Sequence, residues 1–172
     1  MPPSLLLAAL LAPAVRAGDP EAPAGFTRVE VVTVLPAGNG GGTVMLADAP
    51  RTWVVPIAVG SSEALTIALR SERRRYERPL THDLLDAVLR ELGGEVSEIR
   101  IDDLRSSTFV ATMSLREGRR ESKLDLRASD AIAVALGHDL PIWIADAVVA
   151  QTRLPWGDLT PPPAPAEPQP EL

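Results

Sequence analysis

The chain contains no cysteine, so disulfides, thiolate catalysis and cysteine-based zinc sites are all excluded. Aromatic residues make up only 3% of it. The core must therefore be built from Val, Leu, Ile and Ala, and stacking platforms for single-stranded nucleic acid are scarce. Positive charge is also in short supply. A formal net charge of -6 and a pI of about 4.9 argue against a general basic coat, although a local patch can still act on nucleic acid. Beyond the first residues no apolar run approaches the length of a membrane span. What is present is 172 residues, 45% of them hydrophobic, which suffices for one domain with a sizeable core plus tails.

At the N-terminus Ser4 to Ala12 is a short apolar run, and Val15-Arg16-Ala17 offers acceptable residues for cleavage after Ala17. Residues 1–17 thus read as a signal peptide, which makes the mature chain exported, either periplasmic or secreted. If the segment instead stays attached as an apolar extension, the protein is cytoplasmic. Residues 18–25 form a Pro- and Ala-containing linker, 26–152 the folded domain, and 153–172 a tail whose prolines, from Pro155 to Pro170, oppose both ladder and helix.

The organising stretch is Leu124 to Ile144, LDLRASDAIAVALGHDLPIWI. It reads as a strand with Leu124 and Leu126 on one face, a short apolar helix carrying Ile132, Val134, Ala135 and Leu136, and a second strand. Ser129 suits the N-cap, Asp130 puts a carboxylate in the first turn where the helix dipole favours it, and Gly137 suits the C-cap before Pro141.

Upstream, Phe26 to Leu35 alternates as a strand. The glycines from Gly38 to Gly42 precede another strand rather than a helix, so they read as a hairpin turn and not a phosphate-binding loop. Trp53 to Val59 is a third strand, with Pro56 pointing to an edge or a bulge. A helix then begins at Gly60-Ser61-Ser62 and ends in the run Arg70 to Arg78, which holds five Arg and two Glu. That run fits a solvated helix end or a phosphate contact. Thr81 suits the N-cap of a second helix with Leu84, Leu85, Val88, Leu89 and Leu92 as its buried stripe. Val96 to Leu104, Thr108 to Leu115 and the strand ending at Leu126 form three consecutive antiparallel strands. Asp146 to Thr152 closes the domain as a short helix. The order predicts an α+β fold: a single compact domain of mostly antiparallel strands with three to four short helices.

Four words in this order carry a resemblance. They are Val55-Pro56-Ile57-Ala58-Val59-Gly60 followed by Glu63-Ala64; Arg78-Pro79-Leu80-Thr81-His82-Asp83-Leu84-Leu85; Ile101-Asp102-Asp103-Leu104-Arg105 with Thr108-Phe109-Val110-Ala111; and Asp125-Leu126-Arg127-Ala128-Ser129-Asp130-Ala131-Ile132-Ala133 with Pro141-Ile142. Together they resemble the bifunctional nuclease domain family from about Thr27 to Thr152. The resemblance implies a metal-stimulated nuclease acting on both DNA and RNA, in a compact α+β fold that associates with copies of itself. The chain departs from the family pattern at Ala128, where proline is common, and in its export signal and Pro-rich tail.

Phosphodiester hydrolysis needs an activated water and charge neutralisation at phosphate, commonly supplied by Mg²⁺ or Mn²⁺ held on carboxylates. Asp83, Asp125 and Asp130 are the expected metal ligands, and with His82 they form the expected catalytic set. Asp102 and Asp103 should face opposite sides of a regular strand. His82 has an unperturbed pKa near neutrality and suits a general base or a phosphate-orienting role. Arg78, Arg105 and Arg127 suit bidentate phosphate contacts. Each has a plainer reading: helix-dipole stabilisation for Asp83, Asp130 and His138, a structural histidine at position 82, and carboxylate pairing for the arginines. The rival function is therefore a non-catalytic oligomeric binding module of the same fold. Convergence of at least three carboxylates at one exposed spot is what distinguishes the two.

Overall fold

The computed structural model describes residues 21–38 and 40–158. Alternating sequences give strands β1 (Phe26–Pro36), β2 (Gly42–Ala47), β3 (Trp53–Val59), β4 (Glu95–Arg105), β5 (Thr108–Glu117), β6 (Arg120–Arg127), β7 (Ile142–Ala145) and the two-residue β8 (Leu154–Pro155). Helices α1 (Ser61–Ser71) and α2 (Thr81–Glu91) lie between β3 and β4, α3 (Ala128–Gly137) between β6 and β7, and α4 (Asp146–Thr152) after β7. The strands form one sheet in the order β6-β5-β4-β7-β1-β2-β3-β8. Every neighbouring pair is antiparallel except β4 and β7. The α+β expectation holds.

Strand β1 changes partner along its length. Phe26 to Val29 pair with β7, Glu30 to Pro36 pair with β2, and the register shifts between Val31 and Thr33. The glycine-rich stretch is a hairpin turn, with Ala37 N–H donating to Gly41 O. Gly42 is required by close approach, because a Cβ there would lie 2.9 Å from the Ala64 Cβ on α1. The β4–β5 turn is made by Ser106 and Ser107, both at positive φ. Pro56 lies in the part of β3 that β8 does not reach, so its missing N–H interrupts no ladder.

At the centre lies α3. Ala128, Ser129 and Ala131 to Ala135 are buried, as is all of β7. Helix α3 joins Ile99, Ile101, Ile144 and Ile67 in one apolar core. Each such aliphatic side chain contributes about 1.5–3 kcal/mol by leaving water, so Leu124 to Ile144 does organise the domain. Among the described residues no helix is long and apolar enough to cross a membrane.

Several local expectations are overturned. The N-cap of α2 is Leu80 rather than Thr81, and that of α3 is Arg127 rather than Ser129, which is buried inside the first turn. In α2 the Asp83 carboxylate reaches back to accept the Leu80 N–H at 2.9 Å. It thereby does from inside the helix what a capping side chain does from outside. The α3 C-cap is His138 rather than Gly137, and the left-handed residue that turns the chain is Asp139 at φ 53. Leu124, on the edge strand, is exposed. The expected buried stripe of α2 is largely reversed. Leu84, Leu85, Val88 and Leu92 face outward, while His82 and Asp86 are buried and Leu89 is partly buried. Lastly, the stretch after Thr152 does not begin as a free tail. Leu154 and Pro155 pair with Val54 and Trp53, Trp156 N–H donates to Thr52 O, and Arg51 stacks over the Trp156 ring at 5.2 Å. The signal peptide (1–17) and the remaining prolines (161–170) lie outside the described residues.

Candidate active site

Three helix N-termini meet at one end of the sheet, and the third residue of each helix is acidic: Glu63 in α1, Asp83 in α2 and Asp130 in α3. No N-cap side chain bonds into any of the three first turns. Their dipoles and unpaired amides favour negative charge, which stabilises these carboxylates and equally suits a phosphate.

A continuous chain of contacts ties these starts together. Glu63 Oε1 accepts from Arg127 Nη2 at 2.6 Å. Arg127 then grips Asp130 with two hydrogen bonds, Nε to Oδ2 at 2.7 Å and Nη2 to Oδ1 at 2.9 Å. Asp130 Oδ1 also lies 3.1 Å from His82 Nε2. The side chain of His82 is only 11% exposed, whereas that of Arg127 is 63% exposed. Arg127 Nη1 makes no described hydrogen bond, so one face of the guanidinium stays open to an incoming anion.

Electrostatics follow from this geometry. Burial alone would raise the Asp130 pKa, but hydrogen bonding and charge from Arg127, then from His82, outweigh it and hold the carboxyl below its ordinary 3.8. The Arg127 pKa is raised, first by its hydrogen bond to Asp130 and then by the one to Glu63. The pair is ionised throughout the neutral range. An Asp130 carboxylate that accepts Nε2–H fixes the imidazole orientation and leaves Nδ1 with the lone pair of a base.

Behind this group lies a second, buried network that sets where α2 sits. The Arg70 side chain, 9% exposed, donates from Nη1 to Ala133 O at 2.7 Å and from Nη2 to Asp83 Oδ1 at 2.8 Å and Asp86 Oδ2 at 2.6 Å. Asp86 Oδ1 is also 3.1 Å from His138 Nε2. Gly137 makes room for this, since a Cβ there would lie 2.1 Å from Arg70 Nη1. Arg70 is thus the one member of the arginine run that is withdrawn from solvent, and His138 pairs with Asp86 in addition to sitting at a helix C-terminus.

The expected site residues are therefore divided. His82, Asp130 and Arg127 come together. Asp83 is on the same rim but is committed to Arg70 and to the Leu80 amide. Burial opposes its ionisation, and these two hydrogen bonds with the charge of Arg70 nevertheless lower its pKa. Asp125 is exposed on β6 opposite Thr112; the pKa of Arg105 is raised first by its hydrogen bond to Asp103, with the charge of Asp125 a lesser contribution. Arg105 itself pairs with Asp103 at 2.7 Å, and Arg100 with Asp102 at 3.1 Å, the strand register shifting between Ile101 and Asp103. Arg78 is exposed in the α1–α2 connection.

Among the described residues no three His, Asp or Glu side chains are grouped so as to hold a metal. Asp83, Asp125 and Asp130 do not form a common ligand set, and arginines lie between the neighbouring carboxylates.

Four contributors were missed from sequence: Glu63, Arg70, Asp86 and His138. Glu63 stood in the first of the four words, at the same helix position as Asp83 and Asp130, and that repeat was the available signal. Nothing local marked Arg70 as different from the arginines that follow it.

Comparison with known proteins bears on what such a rim is for. Two uncharacterised proteins from two strains of Mycobacterium tuberculosis are each 39% identical to this chain over 111 residues, covering 64% of this chain and 66% of the relative. The chain thus spans about two thirds of their length. The bifunctional nuclease domain matches residues 44–156, a range that begins in β2 and ends at the Trp156 contact and contains every residue of both networks. The chain belongs to the bifunctional nuclease domain family.

Proposed function

We propose that the protein hydrolyses phosphodiester bonds of DNA and RNA at the rim where α1, α2 and α3 begin. The observation that carries this reading is the His82–Asp130–Arg127 arrangement, an oriented imidazole beside an exposed guanidinium at three helix N-termini. In this reading the phosphate docks on Arg127 Nη1 and free first-turn amides, with Arg78 and Arg105 engaging the flanking backbone. His82 takes the proton from water as its oxygen attacks phosphorus. As the P–O bond breaks, that proton becomes available to the departing oxygen. Arg127 neutralises charge on the phosphate in the transition state. Mg²⁺ or Mn²⁺, when bound, supplies further charge neutralisation and a more acidic water. Asp83, Asp125 and Asp130 stand apart, so in this reading the charge on the phosphate is met by Arg127 and the first-turn amides.

The pairing of Asp130 with Arg127 and of Asp83 with Arg70 favours the second reading, a binding module whose rim holds nucleic acid without cutting it. End-labelled single- and double-stranded DNA and RNA, incubated with purified protein in Mg²⁺, Mn²⁺ or EDTA, separate the two. Cleavage that disappears in Asp130→Asn supports hydrolysis. Retention of the substrate without cleavage in any of these conditions supports the binding module.

A further inference from the structure

From the end of α1 into the connection to α2, Ser71 to Pro79 are all exposed. They set Arg73, Arg74, Arg75 and Arg78 against Glu72 and Glu77, a positive loop on a chain of net charge -6. Ion pairing accounts for two of these cations: Arg74 Nη1 lies 3.0 Å from Glu72 Oε2, and Arg73 Nη2 lies 3.7 Å from Asp139 Oδ1. Among the described residues no carboxylate forms a salt bridge with Arg75 or Arg78, although Glu77 stands between them. Between them also lies Tyr76, 56% exposed. Every other aromatic side chain of the protein is buried or half-buried, so this ring is its one open aromatic face. Arg74, Arg75 and Tyr76 line a shallow hollow together with Leu80 and Asp83 at the start of α2. Burial opposes the ionisation of Asp83, Arg70 and the Leu80 amide overcome it, and the charge of Arg75 adds the smallest share.

We infer that this loop is a docking platform for single-stranded nucleic acid, with Tyr76 stacking on an unpaired base and Arg75 and Arg78 holding the phosphates on either side. The inference rests on the reading of the rim as a nucleic-acid site and adds to it a preference between strand forms. The chemistry of the loop selects the occupant. A ring set between two unpaired cations matches a single strand, in which every base is flanked by phosphates. Unpaired bases offer a free face to the ring, whereas bases inside a duplex are already stacked on both sides. Beyond the loop the protein is acidic on balance. A broad anion, such as a duplex or a lipid surface, therefore meets repulsion there, while a narrow strand touches only the loop and the rim.

The loop also delivers the strand to the rim. Tyr76 precedes His82 by six positions, so their Cα atoms are at most about 22 Å apart. Both ends of the platform are fastened. Arg73, at φ 55, turns the chain out of α1, and the amides of Arg73 and Arg74 donate to Arg70 O at 3.0 Å and Leu69 O at 2.8 Å. At the other end Leu80 N–H donates to Asp83 Oδ2 at 2.9 Å. The backbone is thus held while the side chains of Arg75, Tyr76 and Arg78 stay free to engage a ligand.

The test reads binding of the full chain, in EDTA, to labelled oligothymidylate by fluorescence anisotropy, beside the same strand held in a duplex. The parent should bind the single strand more tightly than the duplex. Tyr76→Ala should weaken single-strand binding by about 10-fold and leave duplex binding unchanged, while Tyr76→Phe, which keeps the ring, should bind like the parent. Arg75→Ala combined with Arg78→Ala should flatten the slope of log affinity against log salt by about 1.4, the share of two phosphate contacts on a single strand. Arg119→Ala combined with Arg120→Ala removes the same charge at the opposite end of β6 from Arg127 and should leave the slope unchanged. Tighter duplex binding, single-strand affinity that ignores Tyr76→Ala, equal flattening by both arginine pairs, or a preference for phosphatidylserine vesicles over the oligonucleotide overturns the inference. No cleavage is read, so this result is separate from that of the hydrolysis assay. Cleavage by a chain whose binding ignores Tyr76 sinks the platform alone, and binding through Tyr76 without cleavage upholds the platform and sinks hydrolysis alone.

Discussion

Asp130 Oδ1 lies 3.1 Å from His82 Nε2, joining the first turns of two helices whose residues are 48 apart in sequence. The same oxygen accepts from Arg127 at 2.9 Å. Asparagine at position 130 keeps the size and an acceptor but loses the charge. Asp130→Asn should lower cleavage by about 10²-fold or more if the carboxylate orients a catalytic base, while stability falls by about 1 kcal/mol or less. Initial rates on labelled substrate, beside a chemical denaturation curve, decide this. Parental rates in a folded variant would make Asp130 a helix-start residue only.

A second prediction concerns Arg70 and Gly137. Arg70→Leu leaves Asp86 and Asp83 without their cation, and removing one partner of a buried pair costs about 3–5 kcal/mol. Gly137→Ala places a Cβ 2.1 Å from Arg70 Nη1 and 2.9 Å from Asp86 Oδ2, and should cost about 3 kcal/mol by displacing the same guanidinium. Because both changes strike one network, the double variant should be much less destabilised than the sum. Urea midpoints for the four chains test this, and full additivity would disprove the coupling.

The third prediction is a pH dependence. The folded chain holds Asp130 and Asp83 below the ordinary 3.8, so each binds a proton less readily folded than unfolded. Their contribution to stability is complete above about pH 3.8 and drains away as pH falls through the depressed folded values. Thermal melts between neutral pH and pH 3 should show an acid limb that is shallower in Asp130→Asn than in the parent. Identical limbs would mean that the Arg127 contact contributes nothing to folding.

The fourth corrects an expectation about the C-terminus. A chain ending at Asp158 keeps the β3–β8 pairing and the Trp156 contact, so its melting temperature should match that of the full chain. A chain ending at Arg153 loses both and should be less stable by about 1–2 kcal/mol. Equal stability of the two truncations would show that β8 adds nothing.

How much of this was legible beforehand depended on whether the deciding contact was local. The apolar run Ala131 to Leu136, with cap and stop signals at Ser129, Gly137 and Pro141, reads as a helix inside a core, and α3 is that helix. Hairpins announced themselves through Gly38 to Gly42 and Arg105 to Ser107. Periodicity also revealed the stripe in α2, but a stripe says only that one side is apolar. His82, Asp86 and Leu89 form a second stripe at helical spacing, and which side turned inward was settled by Arg70 and His138, distant in sequence. The N-caps were misplaced for a related reason. Ser129 and Thr81 have the right chemistry, but carboxylates at the third helical position supplied the negative charge, which moved each boundary one or two residues earlier. For the site, His82, Arg127 and Asp130 could be nominated as residue types. That Asp125 stands apart on a sheet edge required the register of β5 and β6.

The way α2 is fastened also sets a clock. The core of α3 and β7 opens only when the whole domain does, because its amides lie beneath fully buried isoleucines. Helix α2 can lift away after the bonds of His82, Asp83 and Asp86 are broken, uncovering little apolar surface as it goes. In amide hydrogen exchange its protection should therefore fall well short of that of α3, and its opening should depend only weakly on denaturant while α3 follows the steep dependence of global unfolding. While those bonds are broken, the rim is disassembled in a molecule whose core is intact.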